Sequence, residues 1–140
     1  MFAVGSLAAA SGEFVIKSRE RGWPVLLMPE KLLHNERVNF YKLIWARRII
    51  AALRRHPKVI MAIGTPIIPG KRASFRLPGI LSDTAAIVQS VARPGCICVE
   101  GGATGAMLVQ RMRWTRLTVE QEFQTGVTGA RPCRSCSSSA

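Results

Sequence analysis

The segment best suited to chemistry is a glycine-rich turn between an apolar run and a helical pattern. It reads Val-Glu-Gly-Gly-Ala-Thr-Gly and covers residues 99–105. Paired glycines let the main chain approach a phosphate, and the helix that follows offers unpaired N–H groups at the positive end of its dipole. Thr104 adds a hydroxyl donor. Such turns also occur where a strand and a helix simply pack together. The sequence alone therefore leaves two interpretations, a phosphate-binding loop and a packing turn.

Two further apolar runs end in glycine, at Gly5-Ser6 and at Gly64. Ligands bind at the carboxyl ends of strands in an open parallel sheet, so we expect these ends to converge on the 99–105 turn. Residues 64–72 resemble a Walker A loop. However, Arg72 stands where Ser or Thr binds magnesium, and prolines remove amide donors, which excludes a P-loop.

No constellation of a nucleophile with its base is found. His34 and His56 are the only histidines, and Asp83 is the only aspartate. Glu120 and Glu122 would share one face of a strand and suit a metal, although solvated carboxylates are the simpler interpretation. The sequence therefore identifies no catalytic residue and no metal ligand.

The four cysteines form two close pairs. Cys96 and Cys98 lie in an apolar run, where we expect buried structural thiols on opposite faces of a strand. Cys133 and Cys136 form a C-x-x-C motif in a polar tail. No second motif completes a zinc site, so we expect two thiols in a disordered segment.

Length and composition indicate one globular domain. The chain has 140 residues, 48% of them hydrophobic, which is enough apolar surface to offset the entropy of ordering. No apolar run approaches the roughly 18 residues that span a bilayer, and no positive charge precedes the apolar residues 2–10. We therefore expect a cytoplasmic protein without a membrane segment.

The chain is strongly basic, with a net charge of +12 and a pI near 11.1. Such a surface attracts anions, whether nucleic acid, acidic lipid or nucleotide phosphate. Fifteen arginines are scattered from Arg19 to Arg134 instead of forming one block, which favours solvated charge over a nucleic-acid-binding arm.

Apolar runs of strand length alternate with helical patterns. We predict strands at 2–4, 23–28, 58–63, 96–99 and 117–119, and helices at 13–21, 38–56, 82–92 and 103–112. Residues 64–79 should form a basic loop, since they contain three prolines and three glycines. These patterns indicate an α/β fold in three layers, with a mostly parallel sheet of about five strands and helices on both faces.

Taken together, the motifs resemble a known family. Residues 97–131 are similar to the C-terminal signature of the four-carbon acid sugar kinase family, in which an apolar strand leads to EGGAT or GGDT and then to a helix, a short strand and a Gly-Val turn. The opening FAVGS, residues 2–6, and IGTP, residues 63–66, resemble other strand ends of the same nucleotide-binding domain.

The resemblance implies that residues 1–131 are the nucleotide-binding, C-terminal half of a two-domain kinase, with a disordered tail at 132–140. It implies phosphoryl transfer from ATP with Mg²⁺ to a threonate- or erythronate-type acid. The substrate-binding domain would be a separate unit, and an oligomer is compatible with this arrangement. By position, the nucleotide would contact Ser6, Gly101, Gly102, Ala103, Thr104, Gly126 and Val127.

Two alternatives stay open. In the first alternative, the chain is a basic α/β module that binds nucleic acid through the helix at 38–55, although no recognised nucleic-acid motif is present. Otherwise it would be an inactive truncated fragment. In either case, as under the kinase hypothesis, we expect no phosphorylation by this chain alone.

Overall fold

The chain alternates strands and helices along most of its length. A computed structural model describes the backbone of residues 1–6, 8–34, 36–64, 71–124 and 127–132. The strands are β1 (Phe2–Val4), β2 (Val25–Leu27), β3 (Ile60–Ala62), β4 (Cys98–Glu100), β5 (Leu117–Gln124) and β6 (Val127–Pro132). The helices are α1 (Ala9–Glu20), α2 (Glu30–Leu33), α3 (Val38–Leu53), α4 (Lys71–Ala92) and α5 (Gly102–Arg111).

Four of the strands form one parallel sheet in the order β2-β3-β1-β4. Phe2 of the inner strand β1 is in register with Ile60 on one side and with Cys98 on the other. This sheet, flanked by helices, confirms the predicted α/β class. It has four strands instead of about five, because β5 pairs antiparallel with β6 in a separate two-stranded sheet.

The strand order also explains the two helical layers. Parallel crossovers are nearly always right-handed, so connections that move in opposite directions across a sheet place their helices on opposite faces. The β1-to-β2 connection moves one way and carries α1. The β2-to-β3 and β3-to-β4 connections move the other way and carry α3 and α4, and α5 packs beside α4.

The two faces bury unequal cores. Alternation sends Val4, Ile60 and Ala62 towards α1, where they meet Phe14 and Trp23. The other face carries the larger cluster, which includes Ala3, Met61, Trp45, Ile49, Leu77, Leu81 and Leu108. The sheet is therefore anchored mainly by α3, α4 and α5.

The prediction of a loop at 64–79 is wrong for residues 71–79, which belong to helix α4. It begins at Lys71 and contains Pro78, while residues 65–70 lie outside the described part of the chain. Proline removes one helical hydrogen bond, but Leu77 and Leu81 on either side of it are fully buried and pack the helix on the core. Arg76 further anchors this turn by donating to the main-chain oxygen of Leu32 at 2.8 Å.

The expectation of buried, separated thiols at Cys96 and Cys98 is wrong. Both side chains are exposed and lie on the same side of the chain. Residues two apart in an extended segment share a face, so alternation brings this pair together. Pro132, the first residue of the predicted disordered tail at 132–140, instead ends β6, and residues 133–140 lie outside the described residues. Within the described part of the chain, no helix is both long and apolar enough to cross a membrane.

An ionic cluster joins the three helices of the larger layer. Asp83 on α4 accepts a hydrogen bond from the Nζ of Lys42 on α3 at 2.9 Å and another from Arg111 on α5. Partial burial acts to raise the pKa of Asp83, but the two cationic donors outweigh it and hold that pKa below its ordinary value. The carboxylate therefore stabilises the layer in its charged form.

We expect Asp83→Asn to lower the free energy of unfolding by about 1–3 kcal/mol at neutral pH, because two charge-assisted hydrogen bonds are weakened. A lowered folded-state pKa gives stability that is present above the unfolded pKa of about 3.9 and is lost as pH falls through the folded value. Urea unfolding across pH 2–7 measures both effects, with the variant losing less stability below about pH 4.

Glu13→Gln is the matched control, since Glu13 forms an exposed pair with Lys17 at 3.2 Å. It should change stability by less than about 0.5 kcal/mol. Equal effects of the two substitutions would contradict the role assigned to Asp83.

Candidate functional site

The carboxyl ends of β1 and β4 lie side by side. The N–H of Gly5 donates to the main-chain oxygen of Glu100 at 3.0 Å, one residue beyond the paired strands. Gly101 then turns with a φ of 100°, a conformation that favours glycine. A Cβ placed on Gly101 would lie 3.3 Å from the nitrogen of Ser6. The two strand ends are thus in close contact, and we call residues 5–6 and 100–104 the glycine tip.

Thr104 fixes the spacing within the glycine tip. Its side chain is 1% exposed, and a Cβ added to Gly5 would lie 1.8 Å from its Oγ1. The Oγ of Ser82 donates to the main-chain oxygen of Thr104 at 3.0 Å, which holds the start of α5 against α4. Among the described residues, the Thr104 Oγ1 has no hydrogen-bond partner. A buried, unpaired hydroxyl therefore lies at the tip.

The first turn of α5 presents main-chain donors to solvent. The first helical hydrogen bond runs from the N–H of Gly105 to the oxygen of Gly101 at 3.0 Å, so the preceding N–H groups have no acceptor within the helix. Gly102 and Ala103 are exposed, and the N-cap residue Gly101 has no side chain that could cap this end. The arrangement can accept an anion.

A second helix begins at the neighbouring strand end. The Oγ of Ser6 accepts a hydrogen bond from the N–H of Ala8 at 3.1 Å, just before α1 begins. Helices α1 and α5 follow adjacent strands and pack on opposite faces of the sheet. Such a topological switch point is where open α/β sheets bind ligands. Two positive helix ends therefore meet at the glycine tip.

A cleft of about 420 Å³ opens beside the tip between α1 and the ends of β1, β2 and β3. Ser6, Ser11, Gly64, Arg19 and Glu20 are among the residues that line it. The remaining wall is mostly apolar, which suits a flat organic group with a few polar contacts. Ser6 thus belongs both to the tip and to the cleft.

The structure brings together five of the predicted nucleotide-binding residues, Ser6, Gly101, Gly102, Ala103 and Thr104. Gly126 lies outside the described residues. Val127 begins β6, in the separate two-stranded sheet. Of these five, Thr104 lies in the interior, whereas Gly102 and Ala103 are exposed.

One polar contact of the site was not predicted from the sequence. Ser11 is 1% exposed on α1, and its Oγ donates to a carboxylate oxygen of Glu100. The signal was present, because Glu100 follows an apolar strand and precedes two glycines, a place where a carboxylate reaches the crevice. The small residues around Ser11 then allow α1 to approach it.

The fold of this chain is similar to that of a solved structure. The fold matches a crystal structure of a domain of unknown function, DUF1537, from Bordetella bronchiseptica, which has bound citrate and is a domain-swapped dimer. The TM-score is 0.71 at 14% identity, and the match covers 94% of this chain and 34% of the other. This chain therefore spans about a third of that protein. No model of a known family and no curated protein matches the sequence.

Gly5→Ala tests the close contact within the tip. The new methyl group would overlap the buried side chain of Thr104, so we expect a loss of about 1–3 kcal/mol in the free energy of unfolding. Thr104→Ala in the same chain should restore part of that loss, and urea unfolding of the single and double variants measures the coupling.

Gly12→Ala is the control, because a Cβ at this position of α1 has nothing within 4 Å. It should be neutral or stabilising by up to about 1 kcal/mol. A Gly5→Ala protein as stable as the Gly12→Ala protein would show that the contact with Thr104 does not hold the tip.

Proposed function

We propose that the glycine tip binds the phosphates of a nucleotide, with ATP as the ligand. The observation that carries the proposal is the meeting of two uncapped helix ends at a topological switch point beside paired glycines. Main-chain N–H groups and helix dipoles there stabilise a multiply charged anion. The net charge of +12 favours its approach.

In this proposal, different residues of the glycine tip contact different parts of the nucleotide. The N–H groups of Gly102 and Ala103 donate to phosphate oxygens, and the hydroxyl of Ser6 can donate from the neighbouring strand end. The cleft next to Ser6 accommodates the organic part of the nucleotide. Mg²⁺ would arrive with the triphosphate and neutralise part of its charge, and Glu100 is the carboxylate at the tip that suits it.

The reaction we propose is that of the four-carbon acid sugar kinases. Two independent observations support it: the sequence resemblance over residues 97–131 and the fold shared with a DUF1537 domain, which is the domain of that kinase family. Phosphoryl transfer depends on positioning and charge stabilisation, so one domain can hold ATP while another holds the sugar acid. In this proposal a separate substrate-binding unit completes the site, and the chain alone binds ATP without transferring phosphate.

Gly102→Leu separates binding from folding. A Cβ at Gly102 has nothing within 4 Å, and leucine favours a helix more than glycine does, so stability should be kept. The larger side chain would cover the exposed N–H groups, and we expect ATP affinity to fall at least about tenfold in calorimetry.

Ala106→Leu is the matched control, an exposed position one turn further along α5. It should bind ATP as the unsubstituted protein does. Absence of both heat and thermal shift for the unsubstituted protein at millimolar Mg-ATP would reject the proposal.

A second candidate function rests on α3. Arg47 and Arg48 on this helix and Arg54 and Arg55 just after its end are all exposed, and we take them together as a basic surface. Such a surface would bind nucleic acid through phosphates, with affinity that falls steeply as salt is raised. Salt-sensitive binding of random duplex DNA that ATP does not compete would favour this candidate over the kinase proposal.

A further inference from the structure

The exposed pair Cys96 and Cys98 forms a second cluster of reactive groups, at the opposite end of β4 from the glycine tip. The two sulfur atoms lie 3.9 Å apart. Cys96 borders a cavity of about 460 Å³ and Cys98 borders another of about 300 Å³. Neither thiol takes part in the proposed nucleotide site.

The backbone holds this pair in place. The N–H of Cys98 donates to the main-chain oxygen of Met1 at 2.9 Å, and the amino group of Met1 donates to the main-chain oxygen of Cys96 at 2.9 Å. Both residues are therefore bonded to Met1, the residue just before the inner strand β1. The two thiols need little reorganisation to act on one ligand.

The sulfur separation fits a bridging atom better than a direct bond. A disulfide needs sulfurs about 2.05 Å apart and Cα atoms no more than about 6.8 Å apart, a limit that residues two apart in an extended strand barely meet. Two metal–sulfur bonds of about 2.3 Å at tetrahedral to trigonal angles place the sulfurs about 3.8–4.0 Å apart. The observed distance lies within that interval.

We propose that Cys96 and Cys98 chelate one thiophilic metal ion, with monovalent copper as the ion that fits best. Zinc favours four protein ligands at structural sites, whereas no group of three or more metal-binding side chains occurs within the described ranges. Soft thiolates select monovalent copper, and the two cysteines would hold it in a trigonal site whose third ligand is an exogenous small thiol. On binding, each thiol releases its proton to solvent, two sulfur–copper bonds form, and copper stays monovalent.

The test is an anaerobic titration with Cu⁺ against a chromogenic copper chelator, using full-length variants. Cys133→Ser with Cys136→Ser removes the tail thiols and should leave one Cu⁺ bound per chain. Adding Cys98→Ser or Cys96→Ser should weaken binding by at least about 100-fold. Both serines replace exposed side chains, and a thermal melt checks that the fold is kept.

Two results would overturn the proposal. One is unchanged Cu⁺ affinity when Cys96→Ser and Cys98→Ser are both added to the tail-free variant, which would place the metal elsewhere. The other is failure of the tail-free variant to bind Cu⁺ under reducing conditions. ATP binding should be unchanged in all these variants, so the outcome is independent of the proposed nucleotide site.

Discussion

The close contact between Gly5 and Thr104 is the constraint on which the site depends. Only hydrogen fits on the Cα of Gly5, because the buried threonine occupies the space of a side chain. That contact sets how near the ends of β1 and β4 can come. It also fixes where α5 begins, since Thr104 lies in its first turn and is held by Ser82. The same few atoms therefore determine both the packing of the two strand ends and the direction of the N–H groups in the first turn of α5.

Several features were predictable because they depend on local pattern. Apolar runs ending in glycine gave the strand ends, and apolar spacing gave α3 within a few residues. The convergence of Ser6 with Gly101 followed from the rule for parallel sheets. The contact of Ser11 with Glu100 could not be predicted in this way, because it depends on how closely α1 approaches the sheet.

Other features were decided by tertiary contacts that local sequence does not contain. Pro78 indicated a loop, yet buried leucines on both sides keep it inside α4. Leu117 correctly marked the start of a strand, but its partner is β6 and not the main sheet. The thiols were misjudged for a simpler reason, since residues two apart on an extended chain face the same way.

The position of β1 has a consequence for how the chain folds. This inner strand is made from the first residues of the sequence, and the amino group of Met1 contacts a residue 95 positions later. Contacts between such distant segments close slowly, because a long loop must be ordered before they form. During synthesis the apolar residues of β1 and β3 leave the ribosome well before β4, so the sheet is completed only when its last strand emerges.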